Sequence, residues 1–341
     1  MNMNNINPLI SICITSYNRL NTLERCLKSI NTNYPNKVEI VISEDCSPDK
    51  FRITEMVEEY KKISILNIIY NCNSVNLGFD KNFRKLIDLS NGTYLVFVTD
   101  DDAIIESSID NLIDSISTLS DFSVAFTPYL NLSNNSYERK FSNTNLLIAG
   151  MHSVKNYLYS SILLSGLIFK RSKIPDYDTE LFKDLIYSQV YVFASILKQN
   201  NGYYINIPLI KYIGDGENAF GKNDALEKNE LLADRSNYLS NLEFHKNLIK
   251  TIKLFDLHYN ENLIKPFSKE YSLKSYTGMY NARKNGRKAL NEFWKKLNKL
   301  DIKLSKITFI YYYLLILFGY NLTNLIISPF KLTLLKIRSR C

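Results

Sequence analysis

The chain has 341 residues, 45% of them hydrophobic and 22% charged, the proportions of a folded globular protein with length for one large domain and an appendage, or for two domains. Its five cysteines lie far apart, with no CxxC and no Cys/His cluster of zinc spacing, which excludes a disulfide framework or a structural zinc site and suits a reducing compartment. The net charge of +8 is uneven: residues 265–306 carry 12 Lys/Arg against 3 Asp/Glu, a local +9 that leaves the rest near neutral.

In chain order, the Asn-rich start Met1 to Pro8 lacks the basic and apolar regions of a signal peptide. Leu9 to Thr15 reads as a buried strand, Ser16-Tyr17-Asn18-Arg19 as a polar turn, and Asn21 to Ile30 as a helix with Leu23, Leu27 and Ile30 on one face. Val38 to Ser43 is a second strand. The loop Glu44-Asp45-Cys46-Ser47-Pro48-Asp49 follows, with Ser47 placed to cap the helix Phe51 to Tyr60 and Pro48 suited to its first position. Ile65 to Tyr70 is a third strand, and Asn76-Leu77-Gly78-Phe79-Asp80-Lys81-Asn82 leads into a helix ending at Leu89.

The turn Asn91-Gly92 opens a fourth strand, Tyr94 to Val98, which runs into Thr99-Asp100-Asp101-Asp102 and then a helix from Glu106 to Leu119. Three adjacent carboxylates repel one another and call for a partner. A divalent cation is one, because hard oxygen donors suit Mg²⁺ or Mn²⁺; a solvated loop capping the next helix is the alternative. Phe122 to Phe126 is a fifth strand, residues 129–147 form a hairpin or loop excursion, and Gly166 to Phe169 is a further strand. Asp178 to Gln199 has helical spacing, and Tyr203 to Ile213 reads as strands broken by Pro208. Residues 214–221 are a Gly-rich polar loop, either a lid or a surface turn.

Strand–helix alternation predicts an α/β fold, a mostly parallel sheet flanked by helices, with a helical C-terminal extension. Right-handed crossovers bring the strand ends to one edge, where the loops 15–19, 44–49 and 100–102 meet. No GxGxxG follows the first strand and no GxxxxGK[ST] occurs, which argues against a dehydrogenase and a P-loop NTPase.

The ordered set strand–TSYNR, strand–SEDCSPD, NLGFDKN–helix and GTYLVFV–TDDD resembles family-2 glycosyltransferases of the GT-A (Rossmann-like) fold, in the branch with abequosyltransferase-type enzymes of bacterial surface polysaccharides. The match is detailed over the first third of the chain. The resemblance implies that Thr15, Ser16, Tyr17 and Asn18 line the base and ribose of a nucleotide-sugar, that Asp45 hydrogen-bonds the base, and that Asp100 lies near the ribose. It implies further that Asn76 and Asn82 belong to the donor site and that Asp101 and Asp102 are the metal ligands of a DxD motif. Two departures stand out: Thr99 replaces the usual first acid, and the ARN triplet is missing, with Asn82 arriving early.

A diphosphate leaves as an anion that a bound Mn²⁺ or Mg²⁺ neutralises, and inversion requires a base for the acceptor hydroxyl. Asp184 is the first choice for that base, with Asp178, Glu180 and Asp215 as rivals. His152, His245 and His258 show no ligand spacing and read as structural or surface residues.

Residues 1–222 are thus expected to form the catalytic domain, and 223–341 a helical, basic, membrane-associating region. Ile307 to Ser328 is uncharged between basic flanks, with a Tyr cluster suited to an interface. Positive charge on both sides favours lying on the anionic cytoplasmic leaflet of a plasma membrane over crossing it, and a helix packed on the catalytic domain is the other alternative. A polyisoprenoid-linked saccharide acceptor is what the resemblance implies. Nucleic acid is disfavoured as a partner, since the basic stretch adjoins apolar sequence without a base-stacking module. The rival readings are a nucleotidyltransferase, although the TSYNR turn has only one basic residue for a triphosphate, and a non-catalytic membrane-associated scaffold.

Overall fold

Apolar runs at a spacing of two or of 3.6 set the elements of the chain, seen here in a computed structural model that describes residues 7–176, 186–215 and 237–338. The chain divides into two compact units, one ending and the other beginning within residues 219–228.

The first unit is built on an eight-stranded sheet. Its parallel half comprises β1 (Ile10–Ser16), β2 (Val38–Glu44), β3 (Asn67–Cys72) and β4 (Tyr94–Thr99), in the order β3-β2-β1-β4. The connections are α1 (Leu20–Lys28), α2 (Lys50–Ile63) and α3 (Gly78–Leu89). Alternation along the strands sorts the core onto two faces. Ile10, Ile12 and Ile14 of β1, with Ile40, Val96 and Val98, share one cluster with Leu23 and Leu27 of α1 and Ile53 and Val57 of α2. On the other face Phe83 of α3 packs on Phe97, ring centroids 4.8 Å apart, and the buried Cys13 thiol lies 3.3 Å from the Ser90 hydroxyl.

Beyond β4 the sheet becomes mixed. After β5 (Ala103–Ile104), α4 (Ser108–Thr118) and β6 (Val124–Phe126), the excursion contains β7 (Tyr129–Asn131), β8 (Ser136–Glu138) and β9 (Asn145–Leu147). Next come α5 (Met151–Tyr157), β10 (Leu167–Lys170), α6 (Ser188–Gln199), β11 (Gly202–Tyr204) and β12 (Ile210–Tyr212). β10 inserts antiparallel between β4 and β6, and the order continues β11, β9. A second, four-stranded sheet runs β5-β12-β7-β8, so the excursion is a hairpin whose arm pairs with a late strand. Residues 177–185, the first part of the helix expected from Asp178, lie outside the described residues, as do 216–221 of the expected lid.

The second unit is helical: α7 (Ser240–Tyr259), α8 (Ile264–Lys274), α9 (Tyr276–Lys284), α10 (Arg287–Leu297) and α11 (Lys306–Arg338). Phe267, Tyr271, Met279, Leu290, Phe293 and Leu297 form its interior. α11 is long and apolar enough to cross a membrane by length and composition, but Gly319 breaks it with φ 69° and ψ −177°.

Candidate active site

The C-terminal ends of β1, β2 and β4 bring their three loops together. In the β1 loop, Thr15 is half-buried, Ser16 buried and Asn18 exposed, with Asn18 in the left-handed region (φ 55°). That turn carries the Asn18 N–H to the Ser47 hydroxyl, 2.7 Å away, and the Tyr17 N–H to Asp100, at 3.3 Å. Ser47 in turn donates to the buried Glu44 carboxylate through both its N–H and its hydroxyl. This corrects the expectation that Ser47 caps the next helix: its oxygen ties the second loop to the first, and α2 begins at Lys50 with no side-chain cap.

Asp45 is 4% exposed and sits at the start of α3. It accepts from the N–H groups of Leu77 (2.8 Å) and Gly78 (3.0 Å) and from the Asn73 amide (2.9 Å). Burial raises its pKa, and these donors oppose the rise. Asn76 accepts from the Gly78 N–H in the same turn. Asn82, expected in the donor site, is buried instead. Its amide oxygen accepts from Ser43 and Asn73, and its nitrogen donates to the Ser43 carbonyl. With both ends of the amide engaged, Asn82 holds β2 to α3.

The acidic loop places its three carboxylates in three settings. Asp100, nearly fully buried, accepts from Arg19 at 2.7 Å, and burial pushes its pKa up to about 6 against the pull of that guanidinium. Asp101 lies 3.3 Å from Arg19 and is held from behind, its carbonyl accepting from Arg25 at 2.9 Å. Burial pulls the Arg19 pKa down, but the three aspartates outweigh it and the pKa is raised. Asp102 is turned inward with no exposed surface. It accepts from the Thr99 hydroxyl (2.9 Å), the Ser165 hydroxyl (2.6 Å) and the Ile213 N–H (3.1 Å). Burial and the Asp101 charge push its pKa up to about 6. Asp102, expected as a metal ligand, anchors the loop to both sheets through these three contacts.

Among the described residues no cluster of three or more His, Cys, Asp or Glu could hold a metal by itself. Asp101 alone still suits Mg²⁺ or Mn²⁺ of the kind held by one or two carboxylates together with substrate phosphates. Asp184, Asp178 and Glu180 lie outside the described residues. Asp215 is bound bidentately by Arg25, both contacts 2.7 Å, and that hydrogen bonding holds its carboxyl below the usual range. Sequence reasoning missed Arg19, Arg25, Asn73 and Ser165. Arg19 stood in the quoted TSYNR turn, and only its proximity to Asp100 and Asp101 reveals its part.

Residues 11–173 match the family model described as Glycosyl transferase family 2. That stretch, just under half of the chain, is similar to family-2 glycosyltransferases. Its relatives include Abequosyltransferase RfbV of Salmonella typhimurium, 41% identical over 103 residues, or 30% of each chain. An uncharacterized glycosyltransferase, EpsJ, of Bacillus subtilis is 31% identical over 96 residues, 28% of this chain and 26% of the relative. The chain thus matches about a third or less of the length of these curated relatives. Among solved structures, S. aureus TarS 1-349 in complex with UDP-GlcNAc superposes with a TM-score of 0.52 at 16% identity, covering 84% of this chain and 81% of that one. The likeness is one of fold. The first unit has the GT-A architecture expected of it, α/β with a mostly parallel sheet between helices.

Proposed function

We propose that the protein transfers a glycosyl group, with inversion, from a nucleotide-sugar to a hydroxyl of a saccharide acceptor carried on a polyisoprenoid lipid, in the synthesis of an O-antigen or capsule type of polysaccharide. The observation that carries this reading is the meeting of the Thr15–Asn18 turn, Asp45 and the Asp100–Asp101 pair at one sheet edge, with Arg19 between the carboxylates. The relative named an abequosyltransferase supports the saccharide context.

In this reading Thr15, Ser16, Tyr17 and Asn18 line the nucleoside, with Asp45 and Asn76 bounding the base side. Asp100 orients the β1 loop through the Tyr17 N–H and keeps Arg19 in place. Asp101 would hold a Mn²⁺ or Mg²⁺ ion, and what such a cation supplies is neutralisation of the charge that gathers on a departing diphosphate. Arg19 contributes positive charge on the same side, as developing negative charge requires. Asp184 is proposed as the base that takes the acceptor proton. Asp215, paired with Arg25, is the weaker rival, because a carboxylate held below its usual range is a poorer base. The protein acts at the cytoplasmic face of a plasma membrane, where a lipid-linked acceptor is presented.

The test is Mn²⁺-dependent hydrolysis of a panel of nucleotide-sugars, with and without acceptor. Turnover of at least one donor that vanishes in Asp101→Ala supports the reading. Failure of every donor in the panel overturns it and favours a non-catalytic scaffold.

A further inference from the structure

α11 is broken by design of its neighbours. A helix break strands the carbonyls that precede it. Here the Leu315 carbonyl accepts from the Arg283 guanidinium of α9 at 3.0 Å, and the Leu314 carbonyl accepts from the Thr323 hydroxyl at 2.9 Å. Gly319 supplies the backbone angle, with φ in the region that favours glycine. The elbow is therefore capped by one side chain of α9 and one from beyond the break.

The two faces of the broken helix differ. Thr308, Tyr311, Leu315, Thr323 and Ile327 are buried, a stripe at helical spacing, and Tyr311 lies edge-on to Tyr276 of α9. The opposite face is apolar and open: Ile310, Tyr313, Leu317, Phe318, Leu322 and Leu325 are exposed, Leu317 at 72% and Leu325 at 71%. One face thus belongs to the protein interior, and the other presents to solvent large apolar side chains on either side of the break, of the kind that mark an interaction surface.

We propose that α11 lies in the plane of an anionic membrane surface, its outer face immersed among the acyl chains and its elbow held by Arg283, and that it does not cross. Charge selects the occupant. The 12 Lys/Arg against 3 Asp/Glu in residues 265–306 attract anionic headgroups, whereas a second copy would bring the same positive charge to the face. Length and charge exclude a span. Gly319 is 13 residues beyond Lys306, about 20 Å along the helix at 1.5 Å per residue. A crossing helix would carry the Arg283 guanidinium, and α9 with it, to mid-depth of a hydrocarbon core about 30 Å thick, where a charge is disfavoured. Lying flat keeps Arg283 on the protein side and spends the apolar face on lipid. This proposal is independent of the glycosyl-transfer reading, since its readout involves no donor.

The full chain is tested by flotation with vesicles of phosphatidylcholine alone and with vesicles containing phosphatidylglycerol. Binding to the anionic vesicles that weakens with added salt is expected. Leu317→Glu should lower partitioning about tenfold, the value of one exposed leucine transferred to lipid, with the helical circular dichroism unchanged. Lys295→Glu/Lys299→Glu leaves the apolar face intact and should weaken binding to the anionic vesicles only. In a Trp294→Phe background, tryptophan placed at position 317 and, separately, at 325 should be quenched best by lipids brominated near the headgroup. No flotation, stronger quenching of the 317 probe by deep bromines, or a dimer in solution that Leu317→Glu dissociates would each overturn the proposal.

Discussion

Asp101 and Asp102 are adjacent and chemically identical, and their surroundings give them opposite work. Asp101 faces Arg19 with acceptor capacity to spare, whereas Asp102 serves three donors and sees no solvent. Asp101→Asn should leave the melting temperature nearly unchanged and cut donor turnover by about a hundredfold or more, as loss of several kcal/mol of charge stabilisation requires. Asp102→Ala should instead lower stability by about 1–3 kcal/mol, because it removes the acceptor shared by the Thr99 hydroxyl, the Ser165 hydroxyl and the Ile213 N–H. Measured side by side, denaturation and turnover separate the two roles. Arg19 neutralises the site when no other cation is present. Arg19→Ala is therefore expected to tighten binding of Mn²⁺ alone, read by calorimetry without nucleotide; unchanged or weaker binding would show that the guanidinium does not compete.

At the scale of elements, strands β1 to β4 were legible to within about two residues, because each is a β-branched run with turn residues on either side and its pairing is local to a strand–helix–strand unit. The place of β10 was not legible. Nothing in Leu167–Lys170 says that it inserts antiparallel between β4 and β6, since that choice is made by burial of Phe169 against Phe97, far apart in sequence. Ser47 was misjudged for a related reason: short polar side chains serve caps, ligands and internal braces alike, and only neighbours decide. In the second unit, α7 carries His245, whose ring lies 4.5 Å from the Tyr271 ring and whose Nδ1 sits 2.7 Å from the Asn241 carbonyl. Burial, with a smaller push from Lys274, lowers its pKa from 6.5 to about 4. The unfolded chain thus takes up this proton first. The stabilisation is complete above pH 6.5 and is lost as pH falls toward 4, on the order of 3 kcal/mol. Thermal unfolding at pH 7 and pH 4.5 should show this loss in the native chain and a smaller one in His245→Gln.

At the scale of the whole molecule, chemistry and charge are divided between the units. The first holds the acidic edge, and the second holds the basic excess and the apolar band of α11. The acidic half of this division was readable because four motifs in order fix a sheet edge. The outer face of α11 was readable only as an uncharged run; its elbow depends on Arg283, more than 30 residues upstream of Gly319. A nucleotide-sugar with Mn²⁺ should raise the melting transition of the first unit and leave that of the second in place, as expected when a ligand binds one folded unit. Tryptophan fluorescence follows the second unit, because Trp294 is the chain's one tryptophan.

The inward carboxylate of Asp102 also orders events during synthesis. It fastens residue 99 to residues 165 and 213, so the acidic loop cannot be seated until 114 residues beyond Thr99 have been made. At roughly 5–20 residues per second that takes about 6–23 s. Over that interval β1 to β4 are already made, while the residues that complete their acidic rim are still to come.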